Sequence, residues 1–107
     1  MWYIFPQLKG LGHSPMAERY AIQDLEEATA YLHDPVLGPR LVEVSRALLK
    51  VPTNDATVVM GTPDDLKLRS CMTLFSMVRG ADRVFVEVLD KFYGGRVDEW
   101  TVEMAKS

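Results

Sequence analysis

Apolar positions in this chain recur mainly at intervals of three and four, the spacing of one face of an α-helix. The clearest case covers 36–51. There Leu37, Leu41, Val44, Leu48 and Val51 form one stripe, Arg40, Glu43, Arg46 and Lys50 lie on the other side, and Pro52 stops the helix. Over 24–33, Leu25, Ala28 and Leu32 share a face, with Asp24 as N-cap and Glu27 at the capping-box position. Asp34-Pro35 repeats the cap-then-proline start. Thr62-Pro63-Asp64-Asp65 is another such start, with Asp65 at the capping-box position. It opens a helix over 63–79 whose apolar residues, Leu66, Leu68, Cys71, Met72, Leu74, Phe75, Met77 and Val78, spread around most of the wheel. That spread predicts a central, largely buried helix. Asp82 starts the next helix, with Val84, Phe85, Val88, Leu89 and Phe92 inward, a Glu87–Lys91 pair outward, and Gly94-Gly95 at its end.

Shorter helices complete the pattern. Ser14-Pro15 starts one over 15–22, Asn54 caps one over 55–60 that Gly61 ends, and Asp98 caps a last one through Trp100 and Met104. Residues 8–13, LKGLGH, read as a loop. The expected fold class is all-α, a single multihelical domain over 1–107 with about six short helices. Met1 to Phe5 stays open between strand and helix: its aromatic and branched residues favour strand, but five residues are too few for a period, and Pro6 ends either.

Composition narrows the function classes. With 107 residues, 48% of them hydrophobic and 25% charged, the chain fits one folded domain and not a disordered segment. The net charge of -3 comes without any basic run, which excludes a nucleic-acid interface of the usual kind. Cys71 is the lone cysteine, so no internal disulfide forms, and a reducing compartment, the cytoplasm, is expected. The longest uninterrupted apolar run is Met1 to Phe5, too short to span a membrane, and nothing there reads as a signal peptide. Trp2 and Phe5 instead make that run a candidate interface for homo-oligomerisation.

The isolated reactive side chains read mostly as structural. His13 sits in the glycine loop, His33 at a helix C-terminus, and Cys71 among apolar neighbours; their separation matches no metal-ligand spacing, so neither metal nor cofactor is expected. GLGHS has glycines before a helix start but lacks the rest of a phosphate-loop motif. One anomaly stands out on the helix over 63–79. At 100° per residue, Asp64, Lys67 and Cys71 fall on the arc of Leu74, Phe75 and Val78, so the first turns of its core-facing side are polar. Structurally, Asp64 complements the helix dipole and Lys67 snorkels. Functionally, both line a pocket, with the hydroxyls of Ser70 and Thr73 beside them.

Four segments, MWYIFPQLKGLGHSPMAERYAI, EATAYLHDPVLGPRL, GTPDDLKLRSCMTLF and VLDKFYGG, together resemble the domain-of-unknown-function family numbered 1810. The resemblance covers nearly the whole chain and implies a bacterial, multihelical protein whose activity is not established. It carries that family's polar signature onto Gln7, Ser14, Arg19, Tyr20, Asp64, Asp65, Lys67, Ser70 and Thr73. The resemblance implies two departures: Cys71 stands where the family usually has serine, and the further N-terminal helical segment that typical members are expected to carry before the Trp-rich run is lacking here. Some members bear the label calpastatin, but this apolar-patterned chain does not resemble the disordered repeats of that inhibitor.

Three functions follow as expectations. In the first, Gln7, Arg19, Tyr20, Asp64, Lys67, Ser70 and Thr73 form a polar pocket that binds a small anionic or nucleotide-like molecule. In the second, an enzyme uses the same pocket, with Lys67 and Asp64 moving protons. In the third, the Trp2–Phe5 surface makes the chain a structural or protein-interaction domain.

Overall fold

The computed structural model describes Ile22, residues 24–61 and residues 64–106, without the side chains of Asp64 and Lys106. Within them lie six helices: α1 (Leu25–His33), α2 (Leu37–Leu49), α3 (Ala56–Met60), α4 (Asp64–Ser76), α5 (Val84–Tyr93) and α6 (Glu99–Lys106). The all-α expectation holds. The helix expected over 15–22 and the run Met1 to Phe5 lie outside the described residues.

Local chemistry sets most boundaries. Asp24 accepts from the Glu27 N–H at 2.9 Å and caps α1. Asp34 accepts from the N–H groups of Val36 and Leu37, both at 2.9 Å, and so starts α2. Those two donors hold its carboxyl below the usual aspartate range. The cap of α3 is Asp55 and not Asn54: its carboxylate accepts from the N–H groups of Thr57 and Val58 at 2.9 and 3.3 Å. α4 stops at Ser76, three residues before the expected end. Met77 and Val78 turn back in a tighter i→i−3 pattern onto the carbonyls of Leu74 and Phe75. Gly94, with φ of 62°, closes α5 in the left-handed conformation.

α4 is the axis of the molecule, as the spread of its apolar residues suggests. It packs against α1, α3, α5 and α6, while α2 packs against α1 and α5. Leu68, Cys71, Met72, Leu74 and Phe75 are fully buried along it, and Val84, Phe85, Val88 and Leu89 meet them from α5. Tyr31, Phe75 and Phe85 form a tilted aromatic series, with centroids 5.4 and 5.8 Å apart. Burial pushes the Cys71 thiol well up, consistent with a core role.

Two expectations about side-chain placement are corrected. The buried stripe of α2 is Gly38, Leu41, Ser45 and Leu48, whereas Leu37 is exposed. The small residues lie inside because α2 approaches its neighbours closely: the α1 backbone passes over Gly38, and the Ser45 hydroxyl reaches the Met72 thioether at 3.8 Å. Lys91 does not pair with Glu87. Its ammonium donates to the Val51 carbonyl at 2.9 Å, just past the end of α2, and lies 5.4 Å from the Phe92 ring centroid. A carbonyl left open beyond a helix end is a better partner for a half-buried ammonium than an exposed glutamate.

Candidate functional site

The N-terminal half of α4 carries the polar residues singled out from sequence, and the fold sends them in different directions. Ser70 and Thr73 turn toward α6. Ser70 Oγ donates to Asp98 Oδ2 at 3.1 Å, and Thr73 Oγ1 accepts the Asp98 N–H at 2.9 Å. Thr101, fully buried, donates its hydroxyl to the same Asp98 oxygen at 2.5 Å and its N–H at 3.2 Å. Asp98 is therefore the cap of α6, as its sequence position suggested. The two α4 hydroxyls dock that cap onto the core, which gives them a structural task. Lys67 is half-buried, one turn before the wholly buried Cys71. Gln7, Arg19, Tyr20, Trp2, Phe5 and the Asp64 side chain lie outside the described residues.

A groove opens on another side of the same half-helix. It has a volume of about 630 Å³ and is walled by the segment leading into α3, by α4 and by the end of α5. Its lining includes Asn54, Asp65, Leu66, Arg69, Phe92 and Tyr93, but not Lys67, Ser70 or Thr73. The walls are tied together by hydrogen bonds. Thr57 Oγ1 donates to Asp65 Oδ2 at 2.6 Å, joining α3 to α4. The Tyr93 hydroxyl donates to the Asp65 carbonyl, joining α5 to α4. Burial, and secondarily the Asp65 carboxylate, push the Tyr93 phenol well above the ordinary tyrosine range, while Arg69 opposes the shift. Asp65 and Arg69, four residues apart, share this face of α4. They nevertheless form no ion pair. Arg69 donates instead through Nε to the Arg96 carbonyl at 3.0 Å and through Nη2 to the Val97 carbonyl at 2.7 Å.

The exposed Leu66, with Phe92 and Tyr93, gives this groove apolar surface between a carboxylate and a guanidinium. That composition suits a small ligand with one apolar part and polar ends. Arg69 was not singled out from the sequence as a groove residue, because an arginine on a helix face reads as solvated until its partners are known. Tyr93 was visible only inside the VLDKFYGG segment, and Asp65 only in the family signature and as a capping residue. Among the described residues no group of His, Cys, Asp and Glu could hold a metal ion. None of the described helices is long and apolar enough to cross a membrane.

The family model described as Protein of unknown function (DUF1810) matches residues 1–105. The chain belongs to that family. It is also similar to the conserved hypothetical protein Rv1873 from Mycobacterium tuberculosis, whose crystal structure was solved at 1.38 Å. The two are 48% identical, with a TM-score of 0.95 over 99% of this chain and 76% of that one. The fold is therefore shared with a bacterial protein of known structure. No protein of curated function matches the chain.

Proposed function

We propose that this protein is a binding module for a small anionic or nucleotide-like molecule, held in the groove between α3, α4 and α5. What supports this reading is the groove itself. Its volume of about 630 Å³ falls within the range of roughly 300–1,000 Å³ usual for small-molecule sites. It combines aromatic surface from Phe92 and Tyr93 with the Arg69 cation. An aromatic face and a fixed guanidinium are what a ring-bearing anion requires.

The test is a thermal-shift screen of nucleosides, nucleotides and phosphorylated metabolites, followed by NMR mapping of the hits. Binding should raise the melting temperature and perturb the amides of Leu66, Arg69 and Tyr93. Chromatography of the recovered ligand separates a binder from an enzyme, since only the enzyme consumes it. The polar set Gln7, Arg19, Tyr20, Asp64 and Lys67, grouped from the sequence alone, is the alternative location we propose for the same function. The half-burial of Lys67 above a wholly buried turn of α4 favours it. If the ligand binds there, Lys67→Met abolishes the shift and Arg69→Gln leaves it intact. If it binds in the groove, the pattern reverses. A screen in which no compound perturbs either flank of α4 would overturn the reading.

A further inference from the structure

We infer that the groove recognises a zwitterion of the amino-acid class, with its carboxylate on Arg69, its ammonium on Asp65 and its apolar side chain against Leu66, Phe92 and Tyr93. This rests on the groove being the binding site, but it departs from that reading on the ligand: the anionic group that Arg69 holds is a carboxylate on a molecule that also carries an ammonium for Asp65.

Asp65 and Arg69 are placed to pair and do not. Aspartate and arginine four residues apart on a helix are neighbours, and opposite charges so placed normally pair. Here no carboxylate of the described residues pairs with the Arg69 guanidinium, whereas Arg46 and Asp82 do pair, at 2.8 Å. The two backbone carbonyls of Arg96 and Val97 hold the guanidinium by Nε and one Nη2 hydrogen. They fix its plane but do not neutralise its charge. A guanidinium has five N–H donors, so the outer edge, formed by Nη1 and the second Nη2 hydrogen, remains as a fork suited to a carboxylate. Asp65 is the complementary case. Its oxygens accept from the Thr57 hydroxyl at 2.6 Å and the Leu66 N–H at 2.9 Å, both uncharged donors, so its negative charge is oriented but unmatched.

Both charges face one space. Each lines the groove, and the Tyr93 phenol feels both, in opposite directions. A phosphate-rich ligand would meet the Asp65 carboxylate, and an organic cation would meet Arg69; a molecule bearing one charge of each sign satisfies both. The apolar wall then selects among such molecules for a side chain able to cover Leu66 and the Phe92 and Tyr93 rings.

The experiment is titration of the full chain, followed by NMR, with L-phenylalanine, L-leucine, N-acetyl-L-phenylalanine, L-phenylalanine amide and adenosine monophosphate. The free amino acids should perturb the groove amides. Blocking either end should weaken binding about tenfold or more, the scale of one charge-assisted hydrogen-bond pair. Asp65→Asn keeps the side-chain shape and the Thr57 contact, and should bind the free and N-acetylated forms equally. Arg69→Lys should weaken the free acid while leaving the amide unchanged. If Arg69→Lys fails to fold, the Asp65→Asn comparison alone decides. Adenosine monophosphate binding in the groove while the free amino acids do not bind would overturn this inference and leave the groove reading standing. Equal binding of free and blocked forms to the unaltered protein would do the same. No perturbation of the groove by any of the probes would overturn both.

Discussion

Gly38→Ala is the sharpest test of how the fold is assembled. Gly38 lies in the first turn of α2, buried where that helix crosses the end of α1. A Cβ built there would sit 2.0 Å from the Leu32 carbonyl oxygen and 2.8 Å from its carbon. Both atoms are backbone, so no rotamer change relieves the contact, and the two helices must part by roughly 1 Å or more. Overpacking of this kind costs about 1–3 kcal/mol or more, and rigid backbone on both sides puts this case at the upper end. Alanine recovers up to about 1 kcal/mol of helix propensity over glycine, less in a first turn. The net expectation is a loss of about 2 kcal/mol, a fall in Tm of roughly 8–15 °C for a domain this size. Calorimetry with urea melts would measure it. Ala47→Gly, at an exposed position on the same helix, is the control and should cost about 1 kcal/mol through propensity alone. A Gly38→Ala protein with an unchanged or raised Tm would refute the close crossing, since only the propensity gain would remain.

Other outcomes follow from the same structure. Cys71 should resist alkylation in the folded protein and react fully in denaturant, because its thiol is wholly buried and its ionisation is suppressed. The raised Tyr93 phenol means that stability contributed by its protonated form is complete below the unfolded tyrosine value of about 10 and is lost as pH rises beyond it. Alkaline melts should show this limb, and Tyr93→Phe should remove it while costing roughly 1 kcal/mol for the lost bond to Asp65. Asp34 has the opposite sign: its lowered pKa contributes stability above the unfolded aspartate range that disappears as pH falls, so Asp34→Ala should flatten the acid limb of a Tm-versus-pH curve. The apolar run Met1–Phe5 is expected to drive self-association. Light scattering should show a dimer or larger, shifted toward monomer by Trp2→Ser with Phe5→Ser, and a strict monomer at all concentrations would remove this expectation.

The helices themselves were legible in the sequence because their causes are local. Asp24, Asp34 and Asp98 announce their caps through side chains that reach N–H groups two or three residues away, and the 3–4 spacing of Leu41, Leu48, Phe85 and Leu89 marks the inward faces. The central place of α4 was legible too, since apolar residues around most of a wheel need neighbours on most sides. Tertiary structure decided whatever depends on which neighbour arrives. Hydrophobicity put Leu37 inside and ignored Gly38 and Ser45, yet at a close crossing the small residue is buried and the large one is pushed to the rim. Periodicity grouped Ser70 and Thr73 with a pocket, but their hydroxyls serve Asp98, 28 and 25 residues away along the chain. The expected pocket and the groove share α4, but of the expected residues Lys67, Ser70 and Thr73 do not line the groove, and Asp65, which does, was read only as a capping and family-signature residue. Nothing in the sequence marked the unpaired Asp65–Arg69 face, because that depends on the carbonyls of Arg96 and Val97 drawing the guanidinium away. A helix's own sequence fixes the direction in which each side chain leaves it; only packing fixes what that side chain meets.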